Sequence, residues 1–84
     1  MNQSVYVVHD RLAGLYGSPV CHVNKSCALR WFSSDVLSKS PYNRDLDLFY
    51  IGDFDTATGI MSVCAPEFVA NMATLEASGG EAEE

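Results

Sequence analysis

The chain has 84 residues, which is room for one domain and one core and excludes a second folding unit. Its 48% hydrophobic content supplies enough large apolar residues for one compact pair of layers, and no apolar run approaches the length of a membrane-spanning helix. The formal charge is −6, from 11 acidic and 5 basic residues, and no basic stripe of the kind a dedicated non-specific DNA binder carries is visible.

The first element is "SVYVVHDRLA", β-branched and aromatic, which predicts a strand over about Val5 to Leu12. Alternation puts Tyr6, Val8 and Asp10 on one face and Val5, Val7, His9 and Arg11 on the other. "GLYGSP" reads as a turn or irregular loop because of Gly14, Gly17 and Pro19. "VCHV" is a second short strand, expected to pair with the first. Asn24 suits a helix cap before "KSCALRWFSSDVLSK", and Ala28, Leu29, Phe32, Val36 and Leu37 keep helical spacing, so the main helix is expected from Lys25 to about Ser38. Lys39 near its end suits the helix dipole. "SKSPYNRDLD" is polar and contains Pro41, and it reads as a connecting loop.

"DLFYIGDF" is a third strand, with Leu48, Tyr50 and Phe54 alternating against Phe49, Ile51 and Asp53. The five residues "DTATG" fit a hairpin connection of a type I turn followed by a left-handed glycine, and "IMSVCA" is a fourth strand. After Pro66, "EFVANMATL" allows a short second helix with Phe68, Val69, Met72 and Leu75 as its apolar stripe. The expected fold is therefore α+β, a single small domain in the order ββαββ, with a largely antiparallel sheet, one main helix and a short C-terminal helix. Residues 1–75 form that domain. The end of the chain, "EASGGEAEE", reads as a disordered acidic tail over 76–84. Without it seven acids face five bases, a body charge of −2. A core this small gains from a partner, so a homodimer is expected.

Three patterns invite a chemical reading, and two fail on spacing. Asp53-Phe54-Asp55-Thr56-Ala57-Thr58-Gly59 opens like a calcium loop, but Ala57 stands where an oxygen ligand is needed, Thr58 stands at the glycine position, and no glutamate closes it. It also lacks the Lys and following Ser or Thr of a phosphate-binding loop. Cys21, His22 and Cys27, with Cys64 or His9, do not repeat the paired spacing of a structural zinc site, so neither metal nor cofactor is expected and the cysteines read as buried free thiols. The odd count of three suits a reducing compartment, and "MNQSVYVVHDR" lacks the basic start and apolar run of a secretory signal. No nucleophile–base constellation is recognisable, and an enzyme is not expected. The third pattern is the supply of tyrosines, Trp31 and arginines, which serves base stacking with phosphate contact as readily as protein–protein contact.

"VYVVHDRLAGLYGSPVCHVNKSCALRWF" combines a Tyr-containing strand, Asp-Arg, a Tyr-Gly-x-Pro turn and an Ala-x-Arg-x-Phe helix, and "LDLFYIGDFDTATGIM" supplies an Asp-x-Tyr-x-x-Gly-x-Phe-Asp-x-x-x-Gly hairpin. Together, over about Val5 to Val69, they resemble the small nonstructural protein of the gokushoviruses, tailless single-stranded DNA bacteriophages of the Microviridae. The matching positions are Asp10, Arg11, Tyr16, Gly17, Pro19, Ala28, Arg30, Phe32, Gly52, Phe54, Asp55 and Gly59. "LFYIG" departs from the pattern, with an aromatic where a polar residue is more usual. The resemblance implies a non-catalytic accessory protein of phage DNA replication and single-strand synthesis, by analogy with protein C of the coliphage microviruses, working in the host bacterial cytoplasm. It would act by binding single-stranded DNA, or a viral replication initiator or host protein. For DNA contact the expected residues are Arg11, Tyr16, Lys25, Arg30 and Trp31. The alternative is a protein–protein interaction module without DNA binding.

Overall fold

The computed structural model describes residues 2–77. Strand β1 (Asn2–Asp10) is central and is paired on both sides. On one side lie two short strands, β2 (Leu15–Tyr16) and β3 (Val20–His22), which follow one another along the same edge. On the other side lies β4 (Leu46–Asp55), and beyond it β5 (Met61–Asn71) forms the outer edge. Every pairing is antiparallel. Helix α1 (Lys25–Trp31) crosses one face of the sheet, and α2 (Met72–Ala77) follows β5 directly. The architecture is α+β, a helical layer on one face of an antiparallel sheet.

β1 ends two residues earlier than its composition predicts, and Asp10 is the reason. Its Oδ1 accepts the backbone N–H groups of Leu12 and Ala13 at 3.0 and 3.2 Å, turning the chain before Gly14 at φ 72°. The return passes through β2, a strand within the segment expected to be a loop. Gly17 then donates to the Val8 carbonyl at 2.8 Å and Pro19 separates β2 from β3.

Asn24 caps α1 as expected, its Oδ1 accepting from the Cys27 N–H at 2.9 Å. The helix is α-helical only as far as Trp31; Phe32–Leu37 continue as a wider π-helical turn. Ser33 and Ser34 both donate their hydroxyls to the Arg30 carbonyl, and Ser38 donates to that of Ser34, side-chain bonds that compete with the regular ladder. The wider turn brings residues five apart onto one side. Phe32 and Leu37 are consequently both buried, with Ala28, Tyr6, Leu46 and Leu48, in the cluster between helix and sheet.

Two corrections concern β4 and β5. Strict alternation expects Phe54 on the side of Leu48 and Tyr50. Instead Tyr50 pairs with Tyr6 and Gly52 with Val5, so Ile51 is an extra residue that reverses the phase of the strand. Phe54, opposite Gln3, therefore lies on the face of Phe49. The second correction is the stretch after Pro66, expected to be helical, which continues β5 as far as Asn71. Proline is compatible there because β5 is an edge strand and Cys64, Ala65 and Pro66 bulge opposite the single Ile51. The helix begins only at Met72, capped by Asn71, whose Oδ1 accepts the Thr74 N–H at 2.9 Å. Of the predicted stripe, Val69, Met72 and Leu75 pack on the core, whereas Phe68 turns to the other face. Glu76, assigned to the acidic tail, belongs to α2 and pairs with Arg44 at 3.2 Å. The remainder of that tail, 78–84, lies outside the described residues.

Candidate interaction surface

The helical layer covers the face that carries Tyr6, Leu48 and Tyr50. The opposite face carries the other set. Register places His9 beside Tyr16, Val7 beside Phe49, Phe49 beside Phe68, and Val5 beside Gly52 and then Val63. Directly opposed residues of a ladder project to the same side, so these side chains share one surface. On it the rings form a row running across the strands. His9 and Tyr16 are 4.3 Å apart, Tyr16 and Phe49 5.9 Å, and Phe49 and Phe68 5.9 Å, the last two edge-on. Tyr16 and Phe68 are each 51% exposed and Val63 75%, so among the described residues no helix closes this face as α1 closes the other. Val5 and Val7 belong to the same face and are buried, at 1% and 4% exposure, so the exposed apolar surface lies along the outer strands.

One charged group is set into this face. Asp47 is only 6% exposed. Its Oδ2 is 3.0 Å from Nε of Arg11, and its Oδ1 accepts from Nδ2 of Asn71 at 2.9 Å. Asn71 stands beside Asp47 across the β4–β5 ladder, and Arg11 follows directly on β1. The Arg11 guanidinium also donates to the Arg44 carbonyl. The buried carboxylate thereby has the charge partner and hydrogen bonds that burial requires. Sequence reading left Arg11 without a packing role. Its role is to hold Asp47 and the Asn43–Asp45 turn against the end of β1.

The five residues expected to contact DNA do not form one surface. Arg11 and Tyr16 lie toward one end of the open face, Arg11 engaged by Asp47 and Tyr16 stacked on His9. Lys25 and Arg30 are exposed on α1, on the other side of the sheet. Trp31 packs against His22 with centroids 5.0 Å apart and borders the helix–sheet core, where it covers the sheet. Because β3 meets β1 at Ser4–Tyr6, α1 starts near the opposite end of β1 from Arg11, about 20 Å away along the strand. Sequence reasoning missed Phe49, Phe68 and Val63 as surface residues. The signal available was the crowded aromatic in "LFYIG", since alternation already sets Phe49 on the face away from Leu48 and Tyr50.

Other groups with chemical potential are spread out. Tyr50 is pushed up to about 12, first by its side-chain hydrogen bond to Asp53 and then by burial and the negative charge of Asp53. The exposed Cys64 thiol is raised by local loss of water around its sulfur and then by the negative charges of Glu67 and Asp53. Cys21 and Cys64 are exposed and Cys27 is half-buried, which corrects the expectation of buried thiols. Among the described residues no three His, Cys, Asp or Glu side chains gather in a way that would hold a metal ion.

Fold and surface together describe a small α+β protein with one apolar, ring-lined sheet face. Residues 3–75 match the family model described as Phage ORF5 protein, most of the 84-residue chain, and the chain belongs to that phage protein family. No curated protein and no solved structure matches it. Among the described residues no helix is long and apolar enough to cross a membrane.

Proposed function

We propose that the chain is a non-catalytic accessory protein of phage DNA replication and single-strand synthesis, and that it acts by docking a protein partner on the open sheet face. The phage family supports the setting, and the resemblance to the gokushovirus nonstructural protein supports the process and the host cytoplasm as its place. The observation that carries the mode of action is the character of the face: exposed Tyr16, Phe68 and Val63 around one internally neutralised ion pair. A surface with exposed apolar rings beside an internally neutralised ion pair recognises apolar side chains of another protein. A viral replication initiator or a host replication protein is the partner of that chemistry.

A second reading has a specific observation in its favour. Tyr16 and Phe68 offer half-exposed rings, and sequence-tolerant stacking of single-stranded DNA uses such rings. It ranks second because Arg11, the cation on this face, is already committed to Asp47. Anisotropy titration of a labelled oligothymidylate at low and high salt separates the two. Protein docking expects no binding at either salt, together with loss of a defined replication protein from infected-cell pull-downs when Val63→Glu replaces the wild type. Binding at low salt with a steep salt slope would establish the second reading instead.

A further inference from the structure

Along the outer strand β5 the exposed apolar side chains are bordered by charge of one sign. Met61, Val63 and Phe68 are exposed, and the bulge at Cys64–Pro66 interrupts the strand and opposes addition of a further one. A partner here meets side chains and not a backbone edge. Beside them stand two carboxylates. Glu67 is opposite Tyr50 in the ladder, and the Tyr50 hydroxyl donates to Asp53, so both lie at the rim of the sheet on its other side. Among the described residues the ion pairs are Arg11–Asp47, Lys39–Asp35 and Arg44–Glu76, and neither Glu67 nor Asp53 has a cation in range. Their charge acts on its surroundings. After the Asp53 hydrogen bond at Tyr50 and the loss of water at Cys64, it holds the protons of both groups more tightly.

We infer that β5 docks a segment of a partner protein that is apolar and carries lysine or arginine, with its apolar side chains on Val63 and Phe68 and its cation beside Glu67 and Asp53. The inference rests on the reading of the open face as a docking surface and deepens it by naming the partner's chemistry. Charge complementarity selects this occupant over two others. The phosphates of a single strand stacked on Phe68 would be repelled by Glu67, the preceding residue. A second copy seated on β5 about a two-fold axis would bring the same two carboxylates across the interface. Lys25 and Arg30, which could answer them, are on α1, on the other side of the sheet. An apolar segment without a cation leaves the carboxylates unanswered. One with lysine or arginine answers them while its methylene stem lies along the apolar surface. The charge contact is solvated, so it sets the choice of partner and the rate of encounter more than the affinity.

The test uses the isotope-labelled full chain and three synthetic peptides that share one valine-rich sequence and differ only in carrying lysine, glutamine or glutamate. Amide proton–nitrogen spectra follow each titration and also check that every variant is folded. The lysine peptide should move the resonances of Met61–Asn71 and bind about fivefold tighter than the glutamine peptide. The glutamate peptide should bind least. The preference for lysine should vanish in Glu67→Lys and at about 0.5 M salt. Glu83→Lys makes the same change of net charge elsewhere in the chain and should leave the preference in place. Equal binding of the lysine and glutamine peptides, a preference that Glu67→Lys leaves unchanged, or no response at β5 overturns the inference. If Val63→Glu still strips a replication protein from infected-cell pull-downs, the docking reading stands without it; if that capture is also unchanged, both fall. Movement of the same resonances on dilution of the chain alone, or on adding oligothymidylate, assigns the strand to a second copy or to DNA and overturns the inference as well.

Discussion

Replacing Arg11 with alanine should destabilise the fold more than replacing its partner Asp47. Arg11 is half exposed, with 51% of its side chain in solvent, whereas the Asp47 side chain is 9% exposed. Losing Arg11 leaves a buried carboxylate with one remaining hydrogen bond, from Asn71 at 2.9 Å, and frees the Arg44 carbonyl. Breaking a fully buried pair costs about 3–5 kcal/mol, and solvent access on the arginine side reduces this to about 2–3 kcal/mol here. For a chain of this length that is a large share of a total of roughly 4–12 kcal/mol. Losing Asp47 instead returns an arginine to water and strands one amide of Asn71, for about 1 kcal/mol. Urea unfolding followed by far-UV circular dichroism would read this as a midpoint about 2 M lower for Arg11→Ala and about 1 M lower for Asp47→Ala. The double variant Arg11→Met/Asp47→Leu should lie near Asp47→Ala and above Arg11→Ala, because no carboxylate is left buried but the Asn71 amide still loses its acceptor. An Arg11→Ala midpoint at or above that of Asp47→Ala would refute the assignment of Asp47 as the buried member that needs its partner.

Three further substitutions follow from local geometry. Gly52 sits at φ 152°, and a Cβ there would lie 2.1 Å from the Ser62 carbonyl oxygen, so Gly52→Ala should cost at least about 3 kcal/mol or abolish soluble folded protein. Gly59, at φ 78° with nothing near its Cβ position, should lose only about 1 kcal/mol on change to alanine; equal costs in urea unfolding for the two would contradict the bulge register. Asn24→Ala removes the α1 cap and should lower stability by about 1 kcal/mol in the same assay, with Asn24→Ser close to wild type. Tyr50, raised from 10.0 to about 12, holds its proton more tightly when folded, so its contribution is complete below pH 10 and disappears as pH rises from 10 to 12. A phenolate titration by ultraviolet absorbance should show one late tyrosine that reverts toward the ordinary range in Asp53→Asn, and no late tyrosine in the wild type would count against the Tyr50–Asp53 bond.

The parts of the fold that were legible in sequence are those set by local chemistry. Alternation separated Tyr6 and Val8 from Val5 and Val7, and Asn24 marked the helix start by its capping oxygen. The five-residue hairpin followed from Asp55 and Gly59, whose N–H donates to the Asp55 carbonyl at 2.8 Å. What was not legible depends on pairing across the sheet. Neither the extra Ile51 nor the bulge at Cys64–Pro66 has a local signature, because each is defined only against the partner strand. Pro66 was read as a break because proline ends a strand that is paired on both sides, and only the edge position of β5 relaxes that rule. The π-helical turn at Phe32–Leu37 was hidden similarly, since Val36 and Leu37 satisfy a regular helical stripe on paper and the serine back-bonding appears only once the turn has formed.

The candidate site was less legible because charge counts do not contain charge pairing. Of the five basic residues, Arg11 is held by Asp47, Lys39 lies 3.8 Å from Asp35, and Arg44 lies 3.2 Å from Glu76. Among the described residues, Lys25 and Arg30 are the cations without a carboxylate in range, and both sit on α1. Of the exposed rings, Tyr16 and Phe68 sit on the opposite face, whereas Tyr42, 65% exposed, lies in the turn before Arg44. A single strand of DNA needs rings and cations side by side, within the span of a nucleotide. Here the sheet itself stands between them, so bases stacked on Tyr16 and Phe68 would keep their phosphates away from Lys25 and Arg30. That separation, more than the net charge, is what moves the balance of the two readings toward a protein occupant of the open face.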